Sequence, residues 1–441
     1  MKRKWLAMIL AGMLTATAFT GCGGSNDKNT SSGSTESSSG EVKTASELTL
    51  YAYYADSGIE QIDKTLEVMK DIYPDLTINI EHRTDSDGSV LKTRAAVGEL
   101  PDMFECTGQL TDILMESGDL APLDDAMEEA GMFDKYLDGT FDAKKASDGH
   151  YYAVQSDIPQ ACLMFYNIEI FDQLGLTPPK NFDELKTVVQ TLVDNDIIPV
   201  ALFAQQKWPG LQMYDMAVVA EGQPLGLAGL QDGTAKITDE AYVNAANKVK
   251  ELVDMGLIGK GALNTNASQA FELFSTGKAG MVVNGAWYFN DAALGGYGDN
   301  MGYCEFNPFA DAGKEEEVQW TMSGGAAAPG GYAVSAKGEY VEFSKQVLMT
   351  YIEEHDRVCA QLGSLCMLKE TVEPETPRAA SYQAYADSMK NFVSTTPYEW
   401  SLNNQELIVA LEDTSELLIT GTYTADQFIE DLDASIAEII G

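Results

Sequence analysis

The stretch that decides the fold runs from Phe271 to Trp287 and reads FELFSTGKAGMVVNGAW. Its first half continues a pattern of apolar residues at helical spacing, which predicts a helix from about Ser268 to Thr276. The apolar run from Ala279 to Val283 then predicts a buried strand that ends at the Asn284-Gly285 turn, just before Trp287. A helix that leads directly into a buried strand is typical of α/β proteins.

The same alternation extends through the body of the chain, from about Glu47 to Gly441. Asn181, with Glu184 three residues later, predicts a capping box at the start of one helix. Other helices are expected at about Ile59–Ile72, before Gly98, at Asp239–Met255 and from Glu339 onward. Strands are expected at about Leu48–Tyr53, Thr77–Glu81, Pro101–Phe104, Tyr151–Val154, Cys162–Tyr166, Ile197–Phe203, Met301–Phe306 and Gly331–Val334. The pattern predicts an α/β fold with mostly parallel sheets, and the length of the body predicts two lobes.

The N-terminus predicts the compartment. A basic start and the apolar run Trp5–Phe19 are typical of a secretory signal peptide over residues 1–21. The run is short for a membrane span, although an uncleaved N-terminal anchor is the alternative. The sequence before Cys22, Phe-Thr-Gly, resembles the lipobox of bacterial lipoproteins, with Phe19 in place of the usual Leu. This resemblance implies that Cys22 becomes an acylated N-terminus, and the Ser- and Gly-rich residues 22–46 predict a flexible tether.

Charge and missing motifs narrow the function. The chain has 28 basic and 68 acidic residues, a net charge of −40, which argues against nucleic acid as a partner. The sequence contains no nucleophile elbow, metalloprotease helix or phosphate-binding loop, so we expect no catalytic residue, metal or cofactor. Five cysteines follow Cys22 at wide spacings, and whether Cys359 and Cys366 pair stays open.

Five segments together resemble a known family, the extracellular solute-binding proteins of ABC importers, specifically the sugar-binding group that includes maltose-binding protein. The resemblance covers nearly the whole body, and Asn181-Phe182 stands where the family has Thr-Trp. The segments that carry it are GELPDMF at Gly98–Phe104, LMESGDLAPL at Leu114–Leu123, Tyr151–Asn167, FDQLGLTPPKNFDEL at Phe171–Leu185, and Phe271–Trp287.

The resemblance implies a two-lobed periplasmic-binding-protein-like fold, in which each lobe is a mostly parallel sheet flanked by helices. The first lobe would comprise residues 47–158 and 305–334, and the second lobe residues 159–304 and 335–441. Crossing strands would form the hinge near Asp157–Cys162, Cys304–Phe309 and Val334–Lys337. The ligand would lie between the lobes, which would close around it.

Candidate ligand contacts follow from the same resemblance, with core packing or a solvated loop position as the alternative for each. Trp287 matches the family's stacking tryptophan, Trp208 lies in a Pro-flanked loop of the same lobe, and Trp400 is a further aromatic candidate. A sugar presents apolar ring faces to aromatic rings and hydroxyls to polar groups. The polar and glycine candidates are Tyr54, Asp56, Glu105, Thr107, Gln109, Asp157, Gln160, Asn284, Gly324 and Gly325.

The sequence therefore predicts a lipid-anchored solute-binding protein at the extracellular face of the membrane. It is expected to be a monomer that captures a carbohydrate and delivers it to an ABC permease. An oligosaccharide is the expected kind of carbohydrate. The alternatives are a non-sugar solute such as a peptide or polyol, a lipid-anchored glycan hydrolase with two carboxylates across the cleft, and a surface adhesion or sensor protein. The sequence does not name the sugar, its length or its linkage.

Overall fold

The structure is a computed structural model, and it describes the folded body of the chain. The predicted signal peptide and most of the tether lie outside the described residues. The described residues are 42–441 except 54–57, 84–87, 157, 159, 326–329, 397, 399–401 and 403, and the side chains of residues 109, 294 and 395 are also outside the description. Within this part of the chain, each helix is too short or too polar to cross a bilayer.

The strands of the described chain are short and form a five-stranded, a four-stranded and a two-stranded sheet. They are β1 Glu47–Ala52, β2 Thr77–His82, β3 Met103–Thr107, β4 Ala153–Val154, β5 Cys162–Asn167, β6 Ile198–Val200, β7 Ala279–Gly285, β8 Met301–Tyr303, β9 Thr321–Met322, β10 Gly330–Val334 and β11 Ser394–Thr395.

The helices surround the two larger sheets. They are α1 Ile59–Ile72, α2 Ser89–Val97, α3 Gly108–Glu116, α4 Asp124–Glu129, α5 Met132–Lys135, α6 Ile168–Leu174, α7 Phe182–Asp194, α8 Trp208–Ala220, α9 Ala228–Gln231, α10 Glu240–Asp254, α11 Ala267–Ser275, α12 Tyr288–Leu294, α13 Glu315–Val318, α14 Val341–Gln361, α15 Ala380–Ser388, α16 Gln405–Ile419 and α17 Ala425–Ile440.

The α/β class is confirmed, but the sheets are mixed rather than mostly parallel. The first sheet has the order β2-β1-β3-β10-β4, and its pairs are parallel around β1 and antiparallel around β10. The second sheet has the order β6-β7-β5-β8, in which only the β6–β7 pair is parallel. Parallel pairing follows from a helical crossover on one sheet. By contrast, β5 and β10 each enter their sheet after the chain has come from the other lobe.

The starts of α7 and α8 show which local sequence signals were sufficient to predict where a helix begins. Asn181 caps α7, because its side chain accepts a hydrogen bond from the backbone N–H of Glu184. The reciprocal half of the predicted capping box differs, since the Glu184 carboxylate accepts from Lys180 N at 3.0 Å. The predicted loop at Trp208 is wrong, because α8 begins there with Pro209 in its first turn, a position that proline favours.

Each lobe has its own apolar core. In the first lobe, α1, α4 and α14 pack on the first sheet around Leu50 and Met103. In the second lobe, alternate residues of β5 serve opposite faces of the sheet, as expected for a strand. Met164 packs with α7, α8 and α10 on one face, and Phe165 packs with α11 and α12 on the other.

The predicted lobe boundaries need correction. Residues 335–441 were assigned to the second lobe, but Tyr351 of α14 packs with Leu50 in the first-lobe core. Conversely, residues 305–334 were assigned to the first lobe, although Phe309 packs in the second-lobe core. An amphipathic pattern shows that one helix face is buried and does not show which sheet buries it.

The places where the chain passes between the lobes also differ from those that the sequence predicted. In the described chain they run from Val154 to Ala161, from Ser323 to Ala333 and from Leu368 to Tyr382. The first of these lies where the sequence placed it. The predicted passages at Cys304–Phe309 and Val334–Lys337 are wrong, because the former segment packs in the second-lobe core and the latter in the first-lobe core.

Candidate functional site

Residues of both lobes line a chamber of about 500 Å³, which we call the interlobe chamber. This volume lies in the usual range for small-molecule sites, about 300–1,000 Å³. The first lobe contributes strand ends and the second half of α14, and the second lobe contributes the start of α12. The lining residues are Glu105, Gln155, Ser156, Ile158, Gln160, Trp287, Asn290, Gly325, Tyr332, Ile352, His355, Asp356, Cys359, Ser364, Leu365 and Cys366.

Trp287 forms the second-lobe wall of the chamber. It lies between the end of β7 and the start of α12. Its ring lies against Gly285, since a Cβ on that glycine would overlap the Cζ3 atom of the indole. The ring also contacts Trp208, with ring centroids 6.0 Å apart. The glycine therefore makes room for the indole, and packing fixes an aromatic face at the chamber.

Glu105 lies on the opposite wall. It is in register with Tyr332 of the neighbouring strand, and both side chains line the chamber. The Glu105 carboxylate accepts a hydrogen bond from Tyr53 N at 2.8 Å and lies 3.5 Å from Nη1 of Arg83. The Arg83 guanidinium in turn lies over the Tyr53 ring, 5.6 Å from its centroid. These contacts hold the carboxylate in one position, where it can accept a hydrogen bond from a ligand hydroxyl.

Gln160 lies where the chain passes between the lobes. Its Oε1 atom is buried and has no hydrogen-bond partner among the described residues. A buried, unpartnered acceptor costs about 1–3 kcal/mol, a cost that a ligand donor would remove. Gly325 packs beside this segment with φ 78°, and a Cβ there would fall 2.6 Å from Ala161 N. The backbone of Gly325 therefore packs closely against residues 160 and 161, and it also lines the chamber.

The second half of α14 adds two polar residues to the chamber. Asp356 Oδ2 accepts hydrogen bonds from Tyr136 at 2.7 Å and from Ser156 at 2.5 Å. His355 Nδ1 lies 3.0 Å from Thr65 Oγ1. Burial lowers the pKa of His355 to about 4, so the ring is neutral at physiological pH.

Cys359 and Cys366 line the chamber as free thiols. Burial raises the pKa of Cys359 to about 12 and also raises the pKa of Cys366. The Cys359 Sγ atom lies 3.5 Å from His355 Nε2, yet both groups are neutral. Because the thiolate is the nucleophilic form of cysteine, this pair is poorly suited to nucleophilic catalysis.

The structure brings four predicted site residues to the chamber, namely Glu105, Gln160, Trp287 and Gly325, with Trp208 packed against Trp287. Other predicted residues lie elsewhere: Thr107 is exposed, Asn284 is buried with its Oδ1 accepting from Gly285 N, and Gly324 N donates to Thr396 Oγ1. Tyr54, Asp56, Asp157, Trp400 and Cys22 lie outside the described residues, as does the side chain of Gln109.

Several chamber residues were missed by sequence reasoning. Asn290 lies one helical turn after Trp287, a spacing that places the two on the same face and could have revealed it. His355 and Asp356 stand in a run of charged residues that reads as a solvated helix face. In the described part of the chain, no group of three or more His, Cys, Asp or Glu side chains is arranged to hold a metal ion.

Comparisons with known proteins agree with this geometry. Residues 57–347 match the family described as bacterial extracellular solute-binding protein. An uncharacterized ABC transporter extracellular-binding protein of Pyrococcus horikoshii is 25% identical over 313 residues, which are 69% of this chain and 69% of that protein. A maltotriose-binding protein of Pyrococcus abyssi is 26% identical over 246 residues, 55% of this chain and 49% of that protein.

The fold is also shared with solved structures. One of them, described in connection with xylan utilization by the thermophilic bacterium Caldanaerobius polysaccharolyticus, superposes with a TM-score of 0.76. That comparison covers 88% of this chain and 99% of the other, at 22% sequence identity. A TM-score of this size over nearly the whole of both chains shows a common fold, including the division into two lobes.

Proposed function

Because the chain belongs to the bacterial extracellular solute-binding proteins, we propose that its solute is a carbohydrate and that the carbohydrate binds in the interlobe chamber. Two of the proteins described above support the class of ligand, one by its name as a maltotriose-binding protein and one by its link to xylan utilization. Since one fold can host many ligand classes, the chemistry of the chamber has to carry the proposal.

The observation that carries it is an aromatic face and an unpartnered acceptor in one chamber. The Trp287 ring offers an apolar surface to the face of a sugar ring. The buried Oε1 of Gln160 lacks a donor, and a sugar hydroxyl supplies one. Glu105, held by a backbone N–H and a guanidinium, is a second fixed acceptor on the opposite wall. This combination fits a polyhydroxylated ring in the chamber better than a purely apolar group.

Capture then follows from the division of the chamber between two lobes. A ligand that contacts Trp287 on one lobe and Glu105 on the other has its full set of contacts only when the lobes are close together. Such a ligand shifts the population toward a closed state by its differential affinity, and closure is a hinge motion at the passages between lobes. The closed protein would deliver its ligand to an ABC permease, acting as a monomer and without a catalytic step.

The proposal includes attachment to the outer face of the membrane. Cys22 would carry the acyl chains and residues 22–46 would act as a tether between the lipid and the folded body. Stable anchoring requires two acyl chains or one chain with a second attraction. With a net charge of −40, the protein has no general attraction to anionic lipids, so the acyl chains would provide the attachment.

A thermal-shift screen tests the ligand class. The mature chain is heated with mono- and oligosaccharides, and with amino acids, short peptides and polyols as comparison ligands. A ligand present at a hundredfold excess over its dissociation constant stabilises the folded state by about 2.7 kcal/mol, which is a clear rise in melting temperature. We expect one class of glycan to give this rise and Trp287→Ala to reduce the stabilisation to about a third of its wild-type size at the same ligand concentration.

The matched control is Trp320→Ala, since Trp320 is also half-buried but packs against Phe392 away from the chamber lining. This variant should keep the ligand-induced shift. A shift with peptides or polyols alone would refute the carbohydrate proposal while leaving the fold intact. The glycan is also analysed for cleavage, because Glu105 and Asp356 both line the chamber, and product formation would replace a binding function with hydrolysis.

A further inference from the structure

A second cavity of about 240 Å³ adjoins the interlobe chamber, and we call it the side compartment. Asn290 and Ser364 line both spaces, so the two are neighbouring parts of one cleft. Glu60 at the start of α1 lines the side compartment from the first lobe. Phe289 lines it from the second lobe, and Arg378 lines it from the passage that runs between the lobes from Leu368 to Tyr382. A ligand longer than the chamber therefore has a place for its next unit.

Arg378 is the unusual residue of the side compartment. The arginines Arg83, Arg94 and Arg357 each form an ion pair with a carboxylate. By contrast, the ion pairs found among the described residues do not include Arg378. In a chain with 68 acidic and 28 basic residues, most cations are expected to find a carboxylate, so this guanidinium stands out.

Backbone carbonyls hold the Arg378 guanidinium in place. Its Nε donates to Gly363 O at 2.5 Å and its Nη2 donates to Ser364 O at 2.7 Å. The group also lies over the Tyr382 ring, 5.9 Å from the ring centroid. A guanidinium has five N–H donors, and these two bonds leave the remaining ones without a partner among the described residues.

The surroundings suit a sugar unit with a negative charge. Pro377 and Ala293, both exposed, supply apolar surface that can face a pyranose ring. Glu60, the carboxylate in the lining, is already paired with Lys64 at 3.3 Å. The planar guanidinium matches a carboxylate with two parallel hydrogen bonds. Since the whole chain is strongly acidic, a local cation of this kind is what an acidic ligand requires in order to bind.

We propose that the side compartment is a second saccharide subsite that accepts a uronic acid unit at one end of a bound oligosaccharide, and that Arg378 selects its carboxylate. This inference rests on the proposed carbohydrate function. It makes the ligand an acidic oligosaccharide of at least two units, with one ring on Trp287 and the charged unit beyond Asn290. A neutral monosaccharide would leave Arg378 without a carboxylate partner.

Titration calorimetry on the mature chain tests the inference with matched pairs of ligands. The probes are oligogalacturonides of two to four units and aldouronic acids from xylan, each compared with its own methyl ester. We expect at least one acid to bind tenfold or more tightly than its ester. Arg378→Gln should bring the pair to within about twofold, and Arg378→Lys should give an intermediate ratio because it keeps the charge without the planar fork.

The matched control is Arg94→Gln, which removes an arginine that pairs with Glu81 and lies outside both cavities, and it should leave the ratio unchanged. Equal binding of acid and ester to the wild-type protein overturns the inference and leaves the carbohydrate function standing. An equal loss of affinity for both forms in the Arg378 variants also overturns it, since Arg378 would then only support residues 363–364. Failure of every glycan to bind refutes the proposed function itself.

Discussion

The contact between Gly285 and Trp287 gives the sharpest test of how the chamber is built. Gly285 lies in a buried strand and does not have a positive φ, so alanine is compatible with its backbone. The obstacle is the indole, because the new Cβ would overlap it. To restore an ordinary contact of 3.4–4 Å, the ring has to move by roughly 1.4 Å, away from its present place against the chamber.

The magnitude follows from the area of contact. If the ring covers about 80 Å² of a sugar face, this burial contributes about 2 kcal/mol. A radial gap of about 0.5–1 Å already forfeits a quarter to a half of the dispersion energy, so Gly285→Ala should weaken ligand binding by about 1 kcal/mol, roughly fivefold. Trp287→Ala removes the whole contribution, roughly thirtyfold. The overpacked protein should also be less stable by about 1–3 kcal/mol.

A double-mutant cycle separates this cause from general damage. Dissociation constants are measured by calorimetry and stabilities by urea unfolding for the wild type, both single variants and the double variant. In the Trp287→Ala background the added methyl group meets no indole, so Gly285→Ala should change neither quantity by more than a few tenths of a kcal/mol. If Gly285→Ala lowers affinity equally with and without Trp287, the glycine does not act through the indole and the reasoning fails.

Two further predictions concern other parts of the chain. Burial raises the pKa of Asp215 to about 6. The protonated carboxyl therefore contributes to the free energy of unfolding below pH 4, and this contribution is lost as pH rises through 6. Relative to Asp215→Asn, the wild type should lose about 3 kcal/mol of stability over this range. Urea unfolding of both proteins from pH 4 to 8 measures this difference, and a constant difference would show that Asp215 stays ionised throughout. Cys22→Ser should move the protein from the membrane fraction to the culture medium, as followed by immunoblotting, whereas retention in the membrane would argue against the lipid anchor.

Local patterns predicted many of the elements well. The helix predicted over Ile59–Ile72 has those bounds in the structure, because its apolar residues recur at one face and Pro74 follows soon after. The strand predicted at Ala279–Val283 is two residues longer and includes Asn284 and Gly285. The expected turn at this point was wrong, because pairing with Cys162 and Leu163 of β5 keeps both residues in the sheet.

Elements without an amphipathic face were harder to predict. Residues Pro209–Ala220 of α8 are all buried, so the helix shows no alternation between apolar and polar faces that could reveal it. Trp208 was therefore placed in a loop although it begins a helix. Its assignment to the second lobe was correct. The same limit affected α14, whose pattern indicated a helix but gave no information about the sheet that it covers.

The residues of the site differ in whether a sequence motif could identify their roles. Trp287 was found because a packing requirement, the glycine under its indole, leaves a recognisable Gly-x-Trp spacing. Gln160 was also among the predicted contacts, but its proposed role, like that of Arg378, depends on donors and acceptors that the fold leaves without partners. Sequence motifs therefore identify the scaffold and one residue on each wall of the chamber, Trp287 and Glu105. The solute is selected by groups that the fold leaves open, so its identity has to be sought from the unpartnered donors and acceptors of the cleft.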